Sequence, residues 1–190
     1  LPFVQEASEL GADDPRDAAL LDQAPYAPSF ILSFSEDVDA SIRNVRDCVF
    51  LPGFQKPMLA VLYEPELTWT GSLSRARLTT RVCFITLDLT VTKYPVTVTS
   101  EALPYDTLYL VACPDSLGGV LVVTPSALLH LDQTARLVGL SVSRWTDFTS
   151  SELMLPNATA TPGDCDLQSS VLTFTEANGG LLVLRDGRML

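Results

Sequence analysis

The sequence predicts an all-β protein, a partial β-propeller built from blades of antiparallel four-stranded sheet. Three observations carry this reading. From Ser29 onward, short runs rich in Val, Leu, Ile and Phe are each ended by Pro, Gly, Asp or Asn. A strand–turn–strand unit recurs around Pro52-Gly53, around Pro114 to Gly118 and around Glu176 to Gly180. The interval is roughly sixty residues, room for four strands and a loop, and it favours propeller blades over a two-sheet sandwich. Finally, Met58 to Leu62, Val120 to Val123 and Leu181 to Leu184 are apolar on both faces, so their sheets must be covered twice.

Residues 1–28 are acidic and contain Pro2, Pro15, Pro25 and Pro28, with no sustained amphipathic period. They read as a connecting segment, mobile in part, before blades that occupy 29–190. Phe30-Ile31-Leu32 opens the strand series. Val45 to Leu51 follows, turns at Pro52-Gly53, and returns as Met58 to Tyr63, closed by Glu64-Pro65. Val82 to Val91 and Tyr94 to Thr99 form a hairpin across Thr92-Lys93. The second of these alternates Tyr94, Val96, Val98 against Thr97 and Thr99, and Pro95 suits an edge. Leu108 to Cys113 pairs with Gly119 to Thr124, and Ala127 to Leu131 follows. Ser170 to Phe174 meets Leu181 to Leu184 across Asn178-Gly179-Gly180. The stretches Glu66 to Arg81 and Arg144 to Asp164 are expected as loops between strands. The chain opens on Leu1, not Met, and ends just after a turn-like Asp186-Gly187, so both ends are expected to be cut from a larger protein.

Charge and cysteine usage narrow the function. Twelve Lys and Arg stand against 23 Asp and Glu, a formal net charge of −11, with acid gathered at Glu6 to Asp39. That balance opposes direct binding of a polyphosphate by this chain alone. Cys48, Cys83, Cys113 and Cys165 are far apart and His130 is the sole histidine, which excludes the short ligand spacings of a zinc site. The wide spacing fits buried free thiols better than disulfides. No secretory leader is visible, and no apolar run approaches the length that spans a bilayer. Asn157-Ala158-Thr159 matches a glycosylation acceptor but has no secretory feature beside it.

Catalytic patterns fail one by one. His130 sits between Ser126 and Asp132 on a single strand, without the G-x-S-x-G turn that exposes a nucleophile, and is expected to bond a neighbour. Asp37 with Asp39, Glu64 with Glu66, and Asp164 with Asp166 are neighbours on loops. They do not face one another across a pocket, and all are expected to be solvated. Gly118-Gly119 and Gly179-Gly180 lack the residues of a phosphate cradle and suit tight turns. The chain is therefore expected to be no enzyme, with no cofactor and no metal. What remains is recognition. Trp69, Tyr105 and Trp145 are candidate partner-docking aromatics. Arg75, Arg77 and Arg81, beside Trp69, are candidate contacts to RNA or to an acidic surface.

One stretch carries a resemblance. Lys56-Pro57-Met58-Leu59-Ala60-Val61-Leu62-Tyr63-Glu64-Pro65-Glu66-Leu67-Thr68-Trp69-Thr70-Gly71 resembles the P-x-L-x-x-L-x-E-P-x-x-T-W-x-G segment in the largest subunit of the cleavage and polyadenylation specificity factor. Leu87-Asp88-Leu89-Thr90, Tyr94-Pro95-Val96 and Leu103-Pro104-Tyr105-Asp106 continue it in order. Gly118 to Val122 followed by Ser126 to Gln133 is similar to the family's G-G-V-L-V and N-S-L-I-Y-L-D-Q segments. Pro15-Arg16 falls where relatives vary greatly. The resemblance implies a nuclear, non-enzymatic, multi-propeller scaffold for pre-mRNA cleavage and polyadenylation, with this chain in its N-terminal propeller. It also implies WD-repeat and zinc-finger partner subunits, with pre-mRNA contacted indirectly and no membrane. Direct RNA binding in the same process, and a ubiquitin-ligase adaptor like the related large damaged-DNA-binding subunit, are the alternative readings.

Overall fold

A computed structural model of the chain describes residues 30–88, 93–149, 153–156, 165–175 and 179–190. The predicted acidic segment 1–28, Thr92 of the predicted hairpin connection, Asn157, Asp164 and Asn178 lie outside the described residues.

Two four-stranded antiparallel meanders follow one another, and a third begins. The first runs β1 (Asp47–Leu51), β2 (Met58–Tyr63), β3 (Leu78–Thr86) and β4 (Val96–Thr99), each strand beside the next. A two-residue β5 (Leu103–Pro104) pairs with the early part of β3. The second runs β6 (Tyr109–Ala112), β7 (Val120–Val123), β8 (Ala127–Leu131) and β9 (Leu137–Ser141). One helical turn, α1 (Thr146–Thr149), follows it. The third contains β10 (Val171–Phe174) and β11 (Gly180–Val183). Leu182 and Leu190 then exchange two backbone hydrogen bonds of 2.8 Å, the start of a further pairing. The three recurrent units of the sequence are thus the first hairpins of three successive sheets.

Alternation along β2 explains why it is apolar throughout. Ala60 and Leu62 join Val82 and Phe84 in a core shared with Val120, Val122, Leu129 and Leu131 of the second sheet. Leu59, Val61 and Tyr63 point the other way, onto Ile42, Cys83 and Ile85, under Leu32, Phe34 and Val38. The second sheet repeats this: Val123 belongs to a third cluster with Leu167, Leu182 and Leu184. Each fully buried Leu or Phe contributes about 1.5–3 kcal/mol, so stacking of sheet on sheet is the main source of stability. The sheets lie in the same sense. The amide of Leu110, at the start of β6, donates to Asp47 Oδ2 at 2.8 Å, at the start of β1. Beyond the far ends of the same strands, Gly53 lies beside the Asp115 carboxylate. Face-to-face stacking of similar four-stranded meanders, first strand beside first strand, is the arrangement of propeller blades.

Several expectations are corrected. Phe30-Ile31-Leu32 forms no strand. Ser33 and Asp37 bond locally, with the Ser33 amide on Asp37 Oδ2 at 2.7 Å, and Phe34–Val38 makes a short helical turn. β3 begins at Leu78, inside the expected loop, because Leu78 and Thr80 pair with β5 and Thr80 Oγ1 donates to Pro104 O at 2.9 Å. β9 was not expected at all. A Cβ at its Gly139 would come within 2.5 Å of Leu129 Cδ2 and 2.6 Å of Leu155 Cδ2, so the glycine lets both leucine side chains pack close over the strand. Of the cysteines expected to be buried free thiols, Cys83 and Cys113 are buried and free and Cys165 is buried, but Cys48 is exposed. It lies on the same face of β1 as the exposed Phe50.

Candidate docking face

Antiparallel order assigns every connection to one end of the blades or the other. The turns 52–57, 113–119 and 132–136 share one end with residues 87–88 and 93–95. The loop 64–77, the link 100–108, the turn 124–126 and the connection after β9 share the opposite end. All six residues singled out in the sequence lie at or near this second end: Trp69, Arg75 and Arg77 on the loop, Arg81 early in β3, Tyr105 on the link, and Trp145 beside α1.

Glu64 organises this end. It was expected to be solvated like Glu66, and it is instead buried, with 3% of its surface exposed. Its carboxylate accepts from Arg46 Nη2 at 3.0 Å, from the Thr68 amide at 3.1 Å and from Thr79 Oγ1 at 3.1 Å, and also from Thr68 Oγ1. Burial alone would raise its pKa, but these donors outweigh burial and hold it below the ordinary carboxylate value. Arg46 then reaches the next blade, donating to Tyr105 O at 2.6 Å and Thr107 O at 3.2 Å. One carboxylate therefore ties the root of the Trp69 loop, β3, the entry to β1 and the link into β6 together.

Trp69 is held in place while 70% exposed. Ser72 Oγ donates to its carbonyl at 2.8 Å, and its ring lies so close over Gly71 that a Cβ there would be 1.8 Å from the indole. Trp145 and Phe148 form a tilted pair with centroids 5.6 Å apart, 67% and 66% exposed. The turn beneath them is pinned by buried Thr146, whose Oγ1 donates to Ser126 O at 2.9 Å. Arg77 Nη1 donates to Phe148 O, linking the first blade's loop to the second blade's exit. Tyr105 is partly buried.

The three arginines do not converge on one point. Arg77 is turned to Phe148, and Arg81 lines a groove of about 330 Å³ beside Trp69. Arg75 is exposed at the Ser72 to Ala76 turn. Among the described residues neither Arg75 nor Arg81 makes an ion pair; the pairs there are Arg46–Glu64, Lys56–Asp88 and Arg188–Asp186. Sequence reasoning missed Arg46, Glu64 and Phe148 as parts of this end. The only local signal for Phe148 is its spacing of three from Trp145, which puts the two on one side of a helical turn.

His130 behaves as expected of a strand histidine, its Nε2 lying 2.8 Å from Gly118 O. Among the described residues no group of three or more His, Cys, Asp or Glu could hold a metal ion. No helix of the described residues is long and apolar enough to cross a membrane. The fold and this end together define the class: repeat-built propeller blades that hold aromatic and arginine side chains out from rigid roots.

No family model matches the chain. Similarity to individual proteins is clear. The chain is 40% identical over 127 residues, 65% of its length, to protein cft1 of Schizosaccharomyces pombe. It is 31% identical over 138 residues, 73% of its length, to cleavage and polyadenylation specificity factor subunit 1 of Drosophila melanogaster. The subunit of that name in Arabidopsis thaliana is 27% identical over 181 residues, 95% of the chain. The matches cover only 9%, 9% and 12% of those proteins. The chain belongs to the family of cleavage and polyadenylation specificity factor subunit 1.

Proposed function

We propose that this chain is part of a non-enzymatic scaffold subunit in the nuclear machinery that cleaves and polyadenylates pre-mRNA. The blade end carrying Trp69 and Trp145 docks other subunits of that machinery, with WD-repeat and zinc-finger subunits as the partners and pre-mRNA reached through them. One observation carries the reading. Two segments that carry the family resemblance, Glu64 to Gly71 and Leu103 to Asp106, are far apart in sequence. Arg46 joins them by bonding both Glu64 and Tyr105 O. A network of buried hydrogen bonds serves here to hold exposed aromatics in one arrangement, which lowers the ordering cost of binding.

The test is affinity purification of the tagged full-length protein from nuclear extract. Co-purification of the WD-repeat and zinc-finger polyadenylation subunits is expected. Recovery of a cullin in their place would overturn the reading in favour of a ubiquitin-ligase adaptor. Direct RNA binding has its own supporting observation: among the described residues Arg75 and Arg81, at the aromatic end, make no ion pair. A steep loss of RNA affinity with salt, in the purified subunit without partners, would favour that second reading.

A further inference from the structure

We infer that the groove beside Trp69 receives a segment of a partner protein that carries one bulky apolar side chain flanked by carboxylates. This rests on the docking reading of the same blade end and names the chemistry of the occupant. Pro65, Leu67 and Trp69 line the groove from the loop, and Leu78 and Ala102 line it from β3 and the link after β4. Its volume of about 330 Å³ is at the small end of ligand pockets, which suits one large side chain rather than a helix face. Leu67, 71% exposed, and Trp69 stand at its lip.

Charge selects the flanking residues. Arg81 lines the groove with no ion-pair partner among the described residues, and Arg75 and Arg77 sit on the same loop. Glu66 is the one acid of the lining. Arg81 and Glu66 balance within the lining, and the exposed Arg75 on the adjoining loop adds positive charge at its edge, in a chain of net charge −11. One carboxylate meets Arg81 in the groove and a second meets the exposed Arg75 on the loop, whereas a continuous phosphate chain would also meet the acidic remainder. The six-membered ring of the Trp69 indole packs against Gly71, which fixes the indole beside the groove. It can close over a side chain inserted beneath it. Preorganisation by Ser72, Gly71 and Glu64 removes most of the ordering cost at the site.

The experiment measures fluorescence anisotropy of short labelled synthetic peptides with the full-length protein. One peptide has a single Phe between Glu pairs, a second has Lys in place of Glu, a third has Ala in place of Phe, and single-stranded RNA is the fourth probe. The Glu–Phe peptide is expected to bind about tenfold or more tighter than its two counterparts. Arg81→Glu should reverse the order of the Glu and Lys peptides. Ala102→Trp, which fills the groove, should abolish binding, and Leu117→Ala at the opposite end should leave it unchanged. Equal or tighter binding of the Lys peptide, RNA binding with no peptide binding, or no effect of Ala102→Trp would overturn the inference. Should Ala102→Trp fail to fold, the charge reversal at Arg81 decides alone. Partner co-purification is scored on the same preparations. Failure of the peptides with partners retained sinks this inference only, and absence of partners from the wild-type protein sinks the docking reading itself.

Discussion

Replacing Glu64 by Ala removes the single acceptor shared by Arg46, Thr68 and Thr79. Hydrogen bonds to a charged group contribute about 1.5–3 kcal/mol each when fully buried, and breaking a buried ion pair costs about 3–5 kcal/mol. The lower part of that range applies here. Arg46 keeps 30% of its side chain exposed and retains the Tyr105 and Thr107 carbonyls, so its charge is not stranded. A local cost of about 2–3 kcal/mol follows, which is roughly a 30- to 150-fold rise in the population of the opened loop. The assay is hydrogen exchange followed by mass spectrometry on the full-length protein. The Thr68 amide loses its acceptor, so peptides covering 64–78 should exchange faster by about that factor, while peptides covering β7 and β8 stay protected. Glu64→Gln keeps one oxygen acceptor and should show a smaller rise. Unchanged exchange of 64–78 in Glu64→Ala would refute the idea that this carboxylate holds the loop.

Four further outcomes follow from the same geometry. Because the folded pKa of Glu64 is depressed, its stabilisation is complete above its ordinary value of 4.5 and is lost as pH falls through the lowered value; protection of 64–78, taken relative to the intrinsic amide exchange rate at each pH, should therefore fall below pH 4.5, and protection that stays constant down to full protonation of the carboxylate would contradict it. Gly71→Ala, whose Cβ would sit 1.8 Å from the indole, should displace Trp69 and increase its accessibility to an acrylamide quencher in a chain whose other tryptophan is replaced by Phe. In the native 190-residue chain Cys48 should be alkylated quickly, while burial pushes the Cys83 thiol up to about 12 and Cys113 up to about 11, so both should react only on unfolding; in the full-length protein, where another blade against β1 would cover Cys48, its labelling should slow. The 190-residue chain alone should self-associate in sedimentation velocity, because Phe50 on β1, Val138 and Leu140 on β9 and Val171 on β10 are exposed on sheet faces; a monomer with a sharp, reversible melt would count against the propeller reading.

Hairpins were the legible part of the sequence, because Pro, Gly and Asp mark their ends and both strands are apolar. Ala127 to Leu131 even matches β8 residue for residue. What stayed hidden depends on partners distant in sequence. Leu78 to Thr80 reads as loop until β5 arrives from more than twenty residues away and pairs with Leu78 and Thr80. Gly139 is explained only by the Leu129 and Leu155 side chains that pack over it. Phe30-Ile31-Leu32 reads as a strand because apolar content is visible locally, but whether a neighbouring strand exists is not. The candidate site divides the same way. Trp69 and Trp145 could be picked by type, but placing them at one end of the blades required the direction of every strand. Glu64 looked solvated because its neighbours are Pro65 and Glu66, and nothing nearby reveals the Arg46 that meets it from β1's entry.

The central claim is that partners dock on the blade end that carries Trp69 and Trp145. The most direct test is the full-length subunit with Trp69→Ala and Trp145→Ala together, compared with Leu117→Ala, whose exposed side chain lies on the opposite end. Each is co-expressed with the other polyadenylation subunits, and the recovered complex is weighed by native mass spectrometry. The account predicts that the double variant stays folded and loses one or more partners while Leu117→Ala retains them all. A complete complex with the double variant, or loss of partners with Leu117→Ala alone, would contradict it.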